Sequence, residues 1–240
     1  MSIQQTFLRS YGVDGGGSVF FDANENIKTN TGSMQVFNFD SSVSFCVEAF
    51  IKMDTMSRYN YIALRWAASS TPGAYLWRYG VDNNNKLFFA GNISATQSSA
   101  SMTTDTWYHV AAVREGSNQG YSNYLRLYID GTEVAAESGS GTSMEDNTEP
   151  ISIGANREAL QYSMRGYISN LRITVNQPVY TSSFTTPSAP LTMTSQSVTS
   201  SNVRLLCCQS TDDVTDAEHV QLGSLSIDNG TPTPSDENPF

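Results

Sequence analysis

Short segments of alternating apolar and polar residues recur along almost the whole chain, and they constrain the fold more than any other feature. VSFCVEAFIKM (43–53), KLFFAG (86–91) and TWYHVAAVRE (106–115) are examples. No segment keeps the ~3.6-residue apolar period of a helix for more than two turns. Asp130-Gly131, a strong hairpin signal, separates two of the segments. The pattern predicts an all-β chain, an antiparallel two-sheet sandwich or jelly roll forming one domain.

The predicted strands and their boundaries follow from the same pattern and from the turn residues between segments. They cover 17–22, 43–53, 60–66, 74–81, 86–91, 106–115, 123–130, 149–156, 165–174 and 202–208, with long loops over 92–106 and 137–149. Residues 1–17 are predicted to form an N-terminal arm that ends in three glycines, and residues 18–228 the sandwich. The Pro-rich residues 229–240 are expected to be an extended or loose tail.

The segment RGYISNLRIT (165–174) raises the question of what the polar side of such strands does. Strict alternation places Tyr167, Leu171 and Ile173 on one face and Asn170 and Arg172 on the other. We therefore expect Asn170 and Arg172 to cover a surface or to form an interface.

Charge and cysteine content exclude several classes of partner. The chain has 13 basic and 23 acidic residues and a net charge of −10, so nucleic acid and anionic membranes are not expected partners. Neither a signal peptide nor a membrane span is predicted. Cys46, Cys207 and Cys208 form neither a disulfide framework nor a zinc motif, and this favours synthesis in a reducing cytosol.

Five motifs occur in an order that resembles laminin-G-like, concanavalin A-like jelly rolls. They are VSFCVEAFIKM, WYHVAAVREGS, LRLYIDGTEV, ISIGAN and RGYISNLRIT, and the resemblance covers about residues 17 to 210. Phe50 stands where the first motif more often has Trp. The resemblance implies a concanavalin A-like sandwich, a fold that carries both lectins and glycoside hydrolases.

Catalytic residues are not predicted, and we expect the protein not to be an enzyme. The resemblance to jelly-roll glycosidases would require paired strand carboxylates, but Glu48 has Cys46 and Phe50 as its neighbours on the same strand face. Glu48 is therefore interpreted as hydrogen-bonded or solvated. His109 lies between apolar residues and is expected to be buried and structural. Cys207 and Cys208 are expected to point to opposite faces of a strand.

Two aromatic stripes are the candidate carbohydrate-binding residues. Tyr75, Trp77 and Tyr79 alternate onto one face of a strand, where they form either core or a glycan or subunit contact. Tyr124, Arg126 and Tyr128 do the same on another strand, whose leucines occupy the core, so this stripe should face outward. Trp107 is assigned to the core.

No metal site and no cofactor are predicted, although calcium is kept as an alternative. Many laminin-G-like proteins bind calcium through loop oxygens, and the turns at 82–85 and 145–147 carry such oxygens. Nothing in the sequence sets them at coordinating spacing, so solvated turns are expected.

A second resemblance concerns residues 178–192, 204–210 and 238–240, which are similar to structural proteins of tailed phages, particularly cyanophages. It implies a non-enzymatic virion protein, a head decoration or small appendage, made in the host cytoplasm. Its expected partners are other virion proteins, copies of itself in a homo-oligomer, and a host-surface glycan. The arm 1–17 and the tail 229–240 would then attach it. The alternative is a receptor-binding tail-fibre lectin module.

Overall fold

Two antiparallel sheets pack face to face in the computed structural model of the protein, which describes residues 16–66, 75–91, 95–117, 120, 124–138, 143–145, 149–156 and 162–240. The larger sheet, sheet A, has nine strands and the smaller, sheet B, has seven within these residues. The predicted all-β, antiparallel two-sheet jelly-roll sandwich is confirmed.

Strands Phe45–Met53 and Arg165–Val175, which both carry sequence motifs, pair at the centre of sheet A. Its strands are β1 (Ser18–Asp22), β3 (Phe45–Met53), β8 (Trp107–Glu115), β9 (Tyr124–Ile129), β10 (Thr132–Ser138), β12 (Arg165–Val175), β13 (Val203–Cys207), β14 (Ala217–Val220) and β16 (Thr233–Ser235). The order is β10-β9-β8-β3-β12, after which the sheet divides. One half of β12 pairs with β1 and the other with β13; β16 lies beyond β1, and β14 beyond β13.

The strands of sheet B are at most seven residues long in the described part of the chain. Its strands are β2 (Asn26–Thr31), β4 (Asn60–Trp66), β5 (Tyr75–Val81), β6 (Lys86–Gly91), β7 (Ala95–Ser101), β11 (Ile151–Ile153) and β15 (Gly223–Asn229). They are arranged in the order β15-β2-β11-β4-β5-β6-β7. The inward residues of both sheets, such as Val47, Ile51, Phe89 and Ile173, form one continuous core.

Several segments differ from the sequence-based boundaries, and β2, β14 and β15 were not predicted as strands. Residues 95–101, predicted as part of a loop, form edge strand β7, which pairs on one side only and therefore tolerates Ser and Thr. Residues 229–240 are not a loose tail, because β16 pairs with β1 and the side chain of Lys52 holds Glu237 at 2.6 Å. Of the predicted arm, residues 1–15 lie outside the described residues.

A β-bulge in β12 changes which side chains face the core. The pairing of β12 with β3 shifts between Ser169 and Arg172, and Asn170 has φ 54°, in the left-handed region. Ile168 and Leu171 therefore both point into the core, and Tyr167 points outward. The predicted grouping of Tyr167 with Leu171 was wrong because strict alternation does not continue through a bulge.

A covering segment, residues 176–202, crosses the outer face of sheet A. Its Tyr180 and Phe184 rings stack at a centroid distance of 3.5 Å and pack against Tyr128 of β9. Leu191 and Val198 pack over Phe50 of β3. The covering segment thus buries much of the outer face of sheet A, while one end of the described part of that face is only half-buried.

The β9–β10 hairpin holds the covering segment at Phe184, and Gly131 of this hairpin is expected to be essential for stability. Asp130 and Gly131 have φ values of 47° and 74°, and the Phe184 amide donates to the Gly131 carbonyl at 2.8 Å. A β-carbon on Gly131 would lie 2.0 Å from the Phe184 oxygen. We expect Gly131→Ala to lower the free energy of unfolding by at least ~2 kcal/mol in urea denaturation.

Gly32→Ala is the matched control, because nothing lies within 4 Å of a β-carbon placed there. Its unfolding midpoint should equal that of the unmodified protein. Equal midpoints for Gly131→Ala and Gly32→Ala would show that the hairpin contact with residue 184 is not needed.

Candidate functional site

Four polar side chains from different elements meet beneath the covering segment. Glu48 lies on β3, Arg172 on β12, His109 on β8 and Tyr180 in the covering segment. One Glu48 oxygen accepts from Arg172 Nε at 2.9 Å and Nη2 at 2.7 Å. The other accepts from the Tyr180 hydroxyl at 2.8 Å and lies 3.1 Å from His109 Nε2. Glu48 and Arg172 are completely buried.

Arg172 connects this cluster to the covering segment. Its Nη1 donates to the carbonyl of Thr192 at 2.6 Å and to the carbonyl and hydroxyl of Ser195 at 3.1 and 2.9 Å. A guanidinium with several donors in a fixed plane can satisfy a carboxylate and a loop backbone together. The cluster therefore holds the segment to the sheet.

The electrostatics of the cluster are those of a structural ion pair. Burial alone would raise the pKa of Glu48, but Arg172 and then His109 oppose it and hold that pKa down at about 2. Burial and the Glu48 carboxylate raise the pKa of the Tyr180 hydroxyl, which stays a donor. Burial, and then the same carboxylate, raise the pKa of Cys46. Because Glu48 is enclosed and already accepts these hydrogen bonds, no substrate can reach it.

Several residue predictions can be judged from this cluster. Glu48 is hydrogen-bonded, which was one of its two interpretations. His109 is buried as expected, against the rings of Phe50 and Phe184 and beside the Glu48 carboxylate. The prediction that Asn170 and Arg172 cover a surface was wrong, since both are fully buried. The Asn170 amide oxygen accepts from the Leu191 amide and from Gln209, and the covering segment lies over both side chains.

The half-buried end of the outer face of sheet A carries a line of side chains across four adjacent strands, here called the aromatic row: Trp107, Lys52, Tyr167 and Phe20. Trp107 is opposite Lys52, Lys52 is opposite Tyr167, and Tyr167 is opposite Phe20. All four are half-buried. Since neighbouring strands lie ~4.8 Å apart, the row is about 14 Å long.

The rings of the row are held in place by one another and by the lysine between them. The Tyr167 centroid lies 4.9 Å from that of Phe20 and 6.1 Å from that of Trp107. Lys52 Nζ lies 4.5 Å from the Tyr167 centroid and 5.7 Å from that of Trp107. The row thus presents partly exposed ring surface on a rigid sheet.

Carboxylates border the aromatic row. Burial raises the pKa of Tyr167, and the charge of Asp54, followed by that of Glu237, raises it further. Asp22 forms an exposed ion pair with Arg165 at 3.2 Å, two residues along both strands from the row. Apolar ring faces beside hydrogen-bonding carboxylates are the combination that a sugar, with its apolar C–H face and peripheral hydroxyls, requires.

Sequence reasoning missed this site for two physical reasons. Trp107 was assigned to the core, but it is half-buried on the outer face because β8 places Tyr108, not Trp107, against the core. Tyr167 was placed inward because the bulge was not foreseen. Asn170, a residue that tolerates the left-handed conformation, was the one sequence signal for that bulge.

The aromatic stripes chosen from the sequence lie elsewhere. Trp77 and Tyr79 are completely buried in the core, so neither can contact a ligand, and the Tyr75 side chain lies outside the described residues. Tyr128 points away from the core, as its stripe was expected to, but it is fully buried under the covering segment and cannot contact a ligand.

The rest of the second stripe is only partly exposed. Arg126 forms ion pairs with Glu115 and, at 2.9 Å, with Glu133. Its guanidinium lies over the Tyr124 ring. Together these contacts account for Arg126 without a ligand.

The remaining candidates behave as structural groups. The Asp82 carboxylate accepts from the amides of Asn84 and Lys86 at 2.9 Å, as in a closed turn. In the turn at 145–147, residues 146 and 147 lie outside the described residues, so the solvated turn expected there stays a prediction and calcium its alternative. Cys207 and Cys208 do not point to opposite faces: both are in the core with sulfurs 3.6 Å apart, because Cys208 has φ 61°.

The sequence profile described as the concanavalin A-like lectin/glucanases superfamily matches residues 21–176, more than half of the chain. The chain belongs to this superfamily. No curated protein sequence matches it. The match covers β1 to β12 and includes three members of the aromatic row, Lys52, Trp107 and Tyr167.

Solved structures share the fold of this superfamily member at low sequence identity. A candidate carbohydrate-binding protein from Bacteroides ovatus is 17% identical with a TM-score of 0.66, over 93% of this chain and 61% of that one. The chain thus spans 61% of the length of that protein. A heptameric SAP-like pentraxin from Limulus polyphemus is 16% identical with a TM-score of 0.52, over 93% and 96%.

Helices contribute little to the described part of the chain, where only 3-10 turns such as Met34–Phe37 occur, and none has the length or apolarity of a membrane span.

Proposed function

We propose that the protein is a non-enzymatic, lectin-like module that binds a saccharide chain along the aromatic row. The observation that carries this proposal is the alignment of three half-exposed rings across four adjacent strands of a rigid sheet. Sites on regular strands hold their side chains in place before the ligand arrives, which lowers the entropic cost of binding. The superfamily includes lectins, and the Bacteroides ovatus structure is described as carbohydrate binding, which supports the same class of ligand.

The charges near the row favour a neutral ligand. Lys52 is paired with Glu237 and Asp22 with Arg165, while Asp54 and Asp236 add negative charge beside the rings. The chain as a whole carries a net charge of −10. An anionic polysaccharide would be repelled, whereas a neutral one can stack on Trp107 and Tyr167 and donate hydroxyl hydrogen bonds to the carboxylates.

The proposed absence of catalysis rests on the enclosure of Glu48, whose carboxylate is completely buried. We expect the protein to be retained by columns of immobilised neutral polysaccharides and to release no reducing sugar from them. Retention should be unchanged by a chelator, since no cofactor is proposed. Reducing ends released by the wild type but not by Glu48→Gln would contradict the non-enzymatic function. Loss of retention in chelator, restored by calcium, would establish the calcium alternative.

We also propose the finer placement of this module on a phage particle, as a head decoration or small appendage made in the host cytoplasm and arranged as a homo-oligomer among other virion proteins. The support is the resemblance of residues 178–192 and 204–210 to tailed-phage structural proteins, which corresponds to the covering segment and β13. The alternative is a receptor-binding lectin module on a tail fibre.

Immunogold electron microscopy of source virions tests this placement. Antibody raised against the recombinant chain is expected to label the head. Label restricted to the tail tip would establish the fibre alternative, and particles without label would contradict the virion role while leaving glycan binding untouched.

A further inference from the structure

A polar cleft opens at the other end of the sandwich from the aromatic row. It has a volume of 570 Å³ and is lined by Gln35, Val36, Asn38, Asp40, Val43, Glu145, Val175, Asn176, Arg204 and Gln221. Val175 ends β12, whereas Tyr167 of the row lies near its beginning, so most of the length of β12 separates the two. This volume is within the ~300–1,000 Å³ range of small-molecule sites.

The lining groups match the chemistry of a sugar rather than that of an ion. Four carboxamides line the cleft, from Gln35, Asn38, Asn176 and Gln221, and a carboxamide carries both donors and an acceptor, as a sugar's hydroxyls do. The Asn38 oxygen already accepts from Arg65. Two carboxylates oppose one guanidinium, so an anionic ligand is not favoured.

One lining residue, Gln221, carries an unsatisfied acceptor. Its Oε1 is buried and has no hydrogen-bond partner among the described residues. A buried carbonyl oxygen without a donor costs free energy, and rotation of the Gln221 side chain toward a ligand hydroxyl in the cleft would satisfy it. The main chain beneath it is fixed, because the Gln221 amide donates to the Arg204 carbonyl at 2.9 Å.

The wall of the cleft formed by residues 34–43 is held rigid by two buried arginines. Arg65 donates to the carbonyls of Met34 and Phe37 at 3.0 and 3.2 Å and to the Asn38 side chain at 2.6 Å. Arg114 donates to the carbonyl of Val43 at 2.8 Å and to that of Asp40. This wall is thus already fixed in position, and a ligand would not have to order it.

We propose that this cleft is a second saccharide site, which takes a single neutral sugar residue at a chain end or branch. The proposal rests on the lectin-like function above and extends it, since the domain then contacts glycan at two separated places. Two such contacts on one polymer, or on neighbouring chains, would raise the apparent affinity through effective concentration.

The test is a two-dimensional ¹⁵N–¹H NMR titration of the full chain with methyl glycosides of glucose, galactose, mannose and N-acetylglucosamine. At least one glycoside is expected to shift the side-chain amide signals of Gln35, Asn176 and Gln221. Gln221→Ala and Gln35→Ala, the second at an exposed residue, should each weaken the binding of that glycoside about three- to ten-fold, as expected for one lost hydrogen bond. Asn84→Ala, an exposed carboxamide in the β5–β6 turn, is the control and should change nothing.

The outcomes separate this proposal from the proposed function. The affinity of the variant Trp107→Ala/Tyr167→Ala for the methyl glycoside should stay within two-fold of that of the wild type. If no glycoside shifts the cleft signals, or if Gln221→Ala and Gln35→Ala leave the affinity unchanged, the cleft is not a sugar site, whether or not the row binds polysaccharide. If a glycoside shifts the cleft signals but Trp107→Ala/Tyr167→Ala binds polysaccharide as tightly as the wild type, the cleft is a sugar site and the aromatic row is not.

Discussion

Replacing Glu48 by alanine is expected to remove about 3–5 kcal/mol from the free energy of unfolding, a large part of the stability of a typical domain. Arg172 would then be a fully buried cation without its carboxylate partner. Tyr180 would lose its acceptor at the same time, so the covering segment would lose one of its attachments to sheet A. Urea denaturation followed by tryptophan fluorescence measures the change.

The control for this prediction is a more exposed ion pair of the same sheet. Arg126 pairs with Glu133 at 2.9 Å with side chains 19% and 32% exposed. Glu133→Ala should therefore cost less than ~1 kcal/mol. The double variant Glu48→Met/Arg172→Met should be more stable than Glu48→Ala, because it removes both buried charges together. Equal costs for Glu48→Ala and Glu133→Ala would contradict the structural role of the cluster.

The same carboxylate makes stability depend on pH in a defined direction. Its pKa falls from 4.5 to about 2 on folding, so its contribution is complete above about pH 4.5 and is lost as the pH falls toward 2. The shift corresponds to a contribution on the order of 3 kcal/mol. Glu48→Gln approximates the protonated form, so the difference in unfolding free energy between wild type and Glu48→Gln should shrink between about pH 5 and pH 3. A constant difference would contradict the assignment.

Glycan binding is expected to depend on two rings of the aromatic row. Trp107→Ala and Tyr167→Ala should each weaken polysaccharide binding by at least ~2 kcal/mol, about 30-fold, as aromatic residues at the centre of an interface commonly do. Both rings are half-buried on the outer face, and neither is part of the main core. Affinity gel electrophoresis with neutral polysaccharides measures the loss, and thermal unfolding checks that the variants remain folded.

Tyr124→Ala is the matched control, since Tyr124 is also a half-buried strand tyrosine and was itself a candidate from the sequence. Its affinity should stay within two-fold of the wild type. A large loss for Tyr124→Ala together with none for Trp107→Ala would move the site to β9 and refute the aromatic row.

The architecture was predictable from the sequence because alternation and turn chemistry are local. The strands over 60–66 and 86–91 and the Asp130-Gly131 hairpin were located correctly for this reason. Strand β7 was missed because its Ser- and Thr-rich sequence carries no apolar alternation. Strand β16 was missed because it has only three residues, with a proline at the centre.

The candidate site was not predictable, because it depends on contacts between distant residues. Whether a polar face is exposed depends on the covering segment, which buries Arg172 and Tyr128 but leaves Trp107 half-buried. Which side Tyr167 occupies depends on one bulge. The sequence supplied the correct residue types, whereas their exposure followed from packing that no local pattern encodes.

The pairing of the first strands with the last has a consequence for how the chain acquires its structure. Val19 pairs with Ile168 and Pro234, and Ile27 pairs with Ile153 and Ile227. Every neighbour of β1 and β2 is therefore synthesised more than a hundred residues later, and a topology dominated by such distant pairings folds slowly. During synthesis on a ribosome, β1 and β2 therefore stay unpaired, and their apolar residues are exposed to other nascent chains until β11, β12, β15 and β16 have been made.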